Sequence, residues 1–543
     1  MESKKLKLPV GIQTFEELRT DGYVYVDKTN YLVQLIDTGK IYFLARPRRF
    51  GKSLTVSTFD ALFSGRKHLF KGLYAEEFLN RPDFEPSPVI RLDMSKITTS
   101  GGIERMEESI LRLTNRTAKK LKIELSDSKS AGDLLGELIE EAAEKYKQKV
   151  VILLDEYDKP YTDFVNDSEM AKKVRDVLRE YYVQIKVNDE YIRFTFLTGI
   201  SKFAKFGVFS TLNTPLDISM MPEFTKMCGY TEDEIIRYFP DYLEETATEM
   251  RISTQELIEK MRYYYNGFCF DWNAEIRLYN PYSTLSFFRK KFFSNYWSHS
   301  GKSKLIADYM TNRYLTVEQF RNFPVSIDFV EEPGDMDTAS PEGFLYQSGY
   351  LTLRPGISDE LSLDYPNTEV LNAMSGLVTK NMLQYKDENY NQCRAGLLEG
   401  LMKKDGKKVV DAFNRLLASI PYDDYTASAR QIISKNDYEM KPLEYLYRSS
   451  IFSFLQGCGV VVSPETHTNK GRVDLVVAHK KATWVIEIKV AYEGENAGKK
   501  AEEAYRQIIE KNYASPYPCA ICLGLGIDDT LRQITAFKTI TNC

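Results

Sequence analysis

The sequence predicts an α/β protein: an open parallel sheet covered by helices, a mainly helical extension, and a second, smaller α/β domain near the C-terminal end. Three observations predict it. Between residues 20 and 200 short apolar runs alternate with helix-period runs, the pattern of strands joined by crossover helices. One of those runs, Val150 to Leu154, is apolar throughout, as in a strand buried on both faces. Beyond Pro442, after a long helix-like stretch, β-rich runs return around a single polar helix.

Taken in order, Tyr23 to Val26 reads as a short strand, and Thr29 as the cap of a helix reaching Ile36. Ile41 to Ala45 is the next strand. It runs into the basic loop Arg46-Pro47-Arg48-Arg49-Phe50 and then Gly51-Lys52-Ser53, the last three positions of the phosphate-binding pattern G-x-x-x-x-G-K-[ST], with Arg46 where its first glycine belongs. The helix after it, Ser53 to Phe63, has Leu54, Phe59, Leu62 and Phe63 at helical spacing. Val89 to Met94 is a strand, 103–147 is helical, Ser168 to Lys186 is a helix, and Ile192 to Thr198 is the last strand of this sheet. Thr231 to Glu234 forms a capping box ahead of Ile235, Ile236 and Phe239. The expected division is 1–225 as a core, 226–355 as a helical lid or extension, 356–440 as a helical connector and 441–543 as the terminal domain.

Composition bounds the rest. With 543 residues the chain is too long for one core, and roughly two to four domains are expected. A formal net charge of −5 argues against whole-chain attraction to nucleic acid. Seven scattered cysteines suit a reducing compartment. The start lacks the apolar core of a signal peptide, and no apolar run approaches the ~18 residues that span a bilayer. The expectation is a cytoplasmic protein with no membrane partner.

The chemistry begins at the loop. A glycine before a helix lets backbone approach a phosphate, and the free N–H groups of the helix start favour an anion. Lys52 is placed to reach the β- and γ-phosphates, and the Ser53 hydroxyl to ligate Mg²⁺. Lys40, Arg46, Arg48, Arg49 and Lys52 stand here without an acid among them, a field suited to a polyphosphate. Asp155 ends its strand where ligands bind in open α/β sheets and is placed to hold Mg²⁺ with Ser53. Glu156 follows as the residue that orients a water for attack. Thr198, ending the neighbouring strand, is placed to sense the γ-phosphate, with Ser201 and Lys202 as further candidates. Arg46 and Arg49 join Gly51, Lys52, Ser53, Asp155 and Thr198 as the expected nucleotide-binding set. The competing readings are a chance GKS in a basic surface loop and two acids that merely cap the following helix.

RPRRFGKSL, VDKT at 26–29, LLDEYD at 153–158 and LTGISKF at 197–203 resemble the AAA-ATPase-like family of bacterial proteins. YNGF at 265–268, YNPYS at 279–283 and LYQSGYLTL at 345–353 resemble its downstream helical region. That family also carries the arginine in place of the first loop glycine. The resemblance implies a P-loop NTPase core, ATP rather than GTP, and a strand inserted between the loop strand and the Asp155 strand. It leaves open a homo-oligomer in which a neighbouring subunit's arginine completes the ATP site.

A second cluster lies near the end. A hairpin turning at Lys480-Lys481 opposes Asp474 to Glu487, with Cβ atoms roughly 4.5–5.5 Å apart. Lys489 shares the face of Glu487 by the period of two. Two acids so close repel unless a cation sits between them, and hard oxygen ligands suit Mg²⁺ or Mn²⁺. A charged, solvent-facing hairpin is the competing reading. The spacing D-x12-E-x-K, in GRVDLVV and WVIEIKV, resembles the PD-(D/E)XK nuclease superfamily. The resemblance implies that Glu444, on the preceding helix, is an extra metal ligand and that Gln507 belongs to the active-site set with Asp474, Glu487 and Lys489. It also implies DNA or RNA as partner.

Together these readings predict an ATPase coupled to a metal-dependent nuclease-like domain. The alternatives are a nucleotide-dependent switch whose terminal module binds nucleic acid or protein without cleaving, and a signalling ATPase. Cys519-Ala-Ile-Cys522 has CxxC spacing but lies in an apolar run without a second pair, so no zinc site is expected.

Overall fold

A computed structural model describes the chain except for residues 1–4, 129, 165–166, 201, 203–214, 299–316, 327–339, 357–359, 383–386, 419–441, 469–470, 481 and 542–543. The described chain forms two compact units. One comprises Met1–Trp297 with Asn322–Glu369, the other Ser298–Arg321 with Val370–Cys543.

In the first unit a five-stranded sheet is built from β1 (Ile41–Ala45), β2 (Val89–Asp93), β3 (Val150–Asp155), β4 (Ile192–Gly199) and β5 (Leu216–Asp217), in the order β2-β3-β4-β1-β5. Every pairing is parallel. β4 is therefore the strand between β1 and β3, as the resemblance implied. β3 is buried from end to end, which explains why its run is apolar without alternation. Leu44 pairs with Thr198, and Leu154 with Leu197. The carboxyl ends of β1, β3 and β4 thus finish level, and that edge receives the loop, Asp155 and Thr198.

Helices follow where the period placed them at Lys52–Phe63 and Ser168–Val187, while the stretch 103–147 is two helices, Ile103–Lys120 and Ala131–Tyr146, instead of one. The capping box at Thr231 and Glu234 is present in both halves. Three local expectations are corrected. Ile192 to Thr198 is not the last strand of the sheet, since β5 follows it in sequence and pairs with β1 at the edge. Tyr23 to Val26 is no strand. Tyr23 makes one bridge, to Lys7, while Val24 and Val26 are buried against Ile235, Phe239, Leu257, Met261 and Phe287 of the helical region. An alternating run with so little backbone to pair with is kept extended by its packing. Thr29 does not cap its helix either. Asp27 Oδ1 accepts from both the Thr29 N–H and its hydroxyl, and Thr29 Oγ1 accepts from Ala75 N. The region read as helical also contains a small antiparallel sheet, β6 (Phe323–Val325), β7 (Thr352–Pro355) and β8 (Leu361–Asp364). Strands this short give no period to read.

The second unit carries a five-stranded sheet in the order β13-β12-β11-β10-β9, formed by β9 (Val461–Thr468), β10 (Gly471–His479), β11 (Ala482–Ala491), β12 (Ile521–Asp528) and β13 (Gln533–Thr541). β11 and β12 are parallel and the other pairs antiparallel. The hairpin turns at Lys480 and pairs His479 with Ala482 and Leu475 with Ile486, the expected register. Lys481 lies outside the described residues. Among the described residues, no helix is long and apolar enough to cross a membrane.

Candidate functional sites

The phosphate loop joins β1 to the helix Lys52–Phe63. Gly51 sits at φ 98°, a left-handed conformation that other residues resist, and no side chain caps the helix start. Its first N–H groups are therefore not taken by a capping side chain. Lys52 is only 6 % exposed, which disposes of the surface-loop reading. Its ammonium folds back on its own loop, donating to Arg46 O (2.8 Å) and Pro47 O (3.1 Å). Burial pushes its pKa down, and the charges of Glu156, Asp155 and Asp158 oppose that shift. Ser53, in the first turn, is half-buried.

Asp155 and Thr198 meet across the tips of adjacent strands, where the Thr198 hydroxyl donates to Asp155 Oδ1 at 2.6 Å. Asp155 is thus aimed by a neighbour and does not cap the next helix. Glu156 adopts φ 52°, which turns the chain sharply off β3. Burial raises its carboxyl pKa, partly offset by the Lys52 charge. Lys52, Asp155, Glu156 and Thr198 therefore gather at one edge of the sheet.

The arginines separate. Arg49 is exposed, at φ 68°, with its guanidinium 4.8 Å from the centroid of the Tyr282 ring. Arg46 points away from the mouth of the loop. Its guanidinium is fully buried, donates to Ala45 O, Ser219 O and Phe224 O, and lies over the Phe270 ring. A side chain in place of the first glycine thus anchors the loop from behind. Lys202 pairs with Asp217 at 3.1 Å, and Ser201 lies outside the described residues.

The second site forms where β10 and β11 part. Beyond the Leu475–Ile486 pair β11 continues alone on that side, and its amides would lack strand partners. Side-chain carboxylates supply them: Asp474 Oδ2 accepts from Ile488 N (2.8 Å) and Glu444 Oε1 from Val490 N (3.4 Å). Glu487 Oε2 accepts from Asp474 N (3.2 Å). Glu487 Oε1 accepts from Gln507 Nε2 and lies 3.6 Å from Lys489 Nζ. Asp474 is 9 % exposed and Glu487 2 %, so the solvent-facing hairpin is excluded. Burial raises both carboxyl pKa values, and Asp474 pushes Glu487 further up. The charges of Arg448 and Lys489 oppose the shift at Asp474, and that of Lys489 the shift at Glu487.

Two residues that the sequence reading passed over build this site. Gly524 and Gly526 pair with Glu487 and Lys489 across β11 and β12. A Cβ at Gly526 would lie 2.0 Å from Ala497 O, and one at Gly524 2.5 Å from Tyr505 N. The helix Ala497–Glu510 can therefore lie flat on the sheet, and Gln507 reaches Glu487. The signal was the L-G-L-G run at 523–526, since glycine inside a strand marks close backbone approach. Among the described residues no group of three or more His, Cys, Asp or Glu side chains gathers as a metal cluster. Glu444 reaches the same edge without closing on the pair. Two carboxylates still fit the hard, largely hydrated ions, which take one or two carboxylates and keep waters. Cys519 is exposed, Cys522 buried, and both are free.

The comparisons match this architecture. A family model described as "Predicted AAA-ATPase" matches residues 9–209, and the PD-(D/E)XK nuclease superfamily model matches 443–521. The "uncharacterized protein in vnfD 5′ region" of Azotobacter chroococcum mcd 1 is 33 % identical over 523 residues, covering 94 % of this chain and 93 % of that protein. Among solved structures, Cdc6p of Pyrobaculum aerophilum aligns at 12 % identity and TM-score 0.26, over 70 % of this chain and 96 % of that one. The Aeropyrum pernix ORC2 protein aligns at 14 % and 0.23, over 69 % and 96 %. At those scores the two structures carry no argument.

Proposed function

From the premise that this chain belongs to the AAA-ATPase-like family and ends in a PD-(D/E)XK nuclease superfamily domain, we propose that it binds and hydrolyses ATP and couples this to metal-dependent cleavage of DNA or RNA. In this reading 1–225 is the nucleotide core, 226–355 its helical extension, 356–440 a connector and 441–543 the nuclease-like module, working in the cytoplasm.

At the first site Lys52 exchanges its loop carbonyls for the β- and γ-phosphates, while Gly51 and the helix start present amides to them. Ser53 and Asp155 would hold Mg²⁺, whose chemistry there is to neutralise phosphate charge. Thr198 keeps Asp155 aimed, Glu156 orients the attacking water, Arg49 supplies charge at the rim and Arg46 from behind. A homo-oligomer would bring a further arginine.

At the second site Asp474 and Glu487, aided by Glu444, would hold Mg²⁺ or Mn²⁺, which supplies an activated water and a polarised phosphodiester. Lys489 stabilises charge developing on the phosphoryl oxygens, and Gln507 holds the Glu487 carboxylate in position. The observation that carries this half is the burial of two mutually repelling carboxylates on facing strands. The test is cleavage of single- and double-stranded DNA and RNA by the purified protein with Mn²⁺, with and without ATP. Glu487→Gln is expected to abolish cleavage and Lys52→Ala to remove its dependence on ATP. Cleavage that persists in Glu487→Gln would overturn the nuclease assignment.

A further inference from the structure

Five carbonyls of the loop accept hydrogen bonds from the protein. Ala45 O accepts from Arg46, Arg46 O and Pro47 O from Lys52, and Phe50 O from Gly229 N. Arg48 O accepts from two side chains of the helical region: Trp297 Nε1 at 3.2 Å and Asn280 Nδ2 at 3.4 Å. Every one of these oxygens is drawn toward protein, and the left-handed residues Arg49 and Gly51 bracket the buried Phe50. Residues of positive φ are the kind an anion-binding nest of successive amides uses.

The two sets of donors differ in permanence. Lys52 has to leave Arg46 O and Pro47 O to reach a phosphate. Asn280 and Trp297 are not called on by the nucleotide. Asn280 is buried and fixed by its other role, since its Oδ1 caps the helix Pro281–Lys290 through Ser283 N. The Trp297 indole is buried, 4.9 Å from the Tyr350 ring, and its backbone N–H donates to Glu369. Gly349 lets Pro47 sit against the same group: a Cβ there would lie 2.6 Å from Pro47 Cβ and 3.3 Å from the Trp297 ring.

We infer that Asn280 and Trp297 are positioning residues of the phosphate loop, holding the Arg48 carbonyl outward so that the loop amides stay aimed at a polyphosphate when Lys52 changes partners. The inference rests on the nucleotide-binding reading of this loop. Its test is titration calorimetry of the full-length protein with ATP and ADP, paired with ligand-free thermal melts. Trp297→Phe keeps the ring and deletes the indole donor. Asn280→Ser keeps a capping oxygen and deletes the amide donor. Each is expected to weaken nucleotide binding roughly three- to tenfold and, since the bond is made without ligand, to lower the ligand-free melt modestly. Asn280→Ala, which also loses the cap, lowers both. Wild-type protein that binds no nucleotide would overturn the nucleotide reading and this inference with it. Wild-type binding matched within about twofold by both conservative variants would overturn the anchor alone.

Discussion

The two sites solve opposite backbone problems. At the phosphate loop, side-chain donors gather backbone carbonyls. At the parting of β10 and β11, side-chain carboxylates gather backbone amides and are themselves held still. The difference lies in what can move. Lys52 is a point charge on a flexible stem and can change partners. Asp474 and Glu487 stand on strands, so their geometry is set in advance and their repulsion is built in. On the proposed reading, the first site is switched and the second neutralised.

The largest effect should come from deleting the mobile charge. Lys52→Ala is expected to weaken ATP binding by roughly 10- to 100-fold, the range for hydrogen bonds to charged groups, and to leave Mn²⁺ binding at the second site unchanged. Calorimetry with each ligand checks both arms, and a loss of both would join sites that the comparison keeps apart. Next is Gly526→Ala. The nearest atom to its new Cβ is a backbone oxygen at 2.0 Å, so the helix Ala497–Glu510 has to lift. About 1–3 kcal/mol of stability should go, read as a lower melting temperature, together with Mn²⁺ affinity as Gln507 withdraws.

A subtler test uses pH. Each unit holds a carboxyl raised by burial: Glu369, whose pKa rises from 4.5 to about 8, and Glu487. Over the interval above the ordinary carboxylate value the unfolded chain has released a proton that the folded protein keeps. Stability therefore falls as pH rises through that window, for Glu369 between 4.5 and about 8. Melting temperatures in chelator should decline accordingly. Glu369→Gln and Glu487→Gln should each flatten part of the slope, and Mn²⁺ should flatten only the part due to Glu487. A cation that rescued the Glu369 part would contradict the division of labour. The smallest effect is expected from Cys519→Ser, within about 0.5 kcal/mol by thermal melt.

Much of this was legible because it is periodic or punctuated. The apolar run of β3, the GKS step from strand to helix and the hairpin register each follow from residue spacing; that register predicts Asp474 opposite Glu487, whereas the ladder ends one pair short, at Leu475 and Ile486. The parting of the strands past Leu475 and Ile486 was not legible. It depends on carboxylates replacing a neighbouring strand, and no pattern in one strand reports that. The anchoring by Arg46 was not legible for a related reason: sequence gives its position in the loop, but not that Ser219 O and Phe224 O wait behind it. β13 was missed although Gln533 to Thr541 is rich in β-branched residues. Asn280 carried a readable cap signal, while its second hydrogen bond, to Arg48 O, spans most of the first unit in sequence.

The interleaving of the two units has a practical consequence. The chain crosses between them after Trp297, Arg321 and Glu369, so neither can be excised with one cut. A fragment beginning at Val370 would omit Glu318, whose carboxylate pairs at 3.4 Å with the deeply buried Arg448. Losing one member of such a pair typically costs about 3–5 kcal/mol. Exchanging terminal modules between relatives would thus require three seams instead of one, and inheritance of the pair as a block is the expected evolutionary outcome.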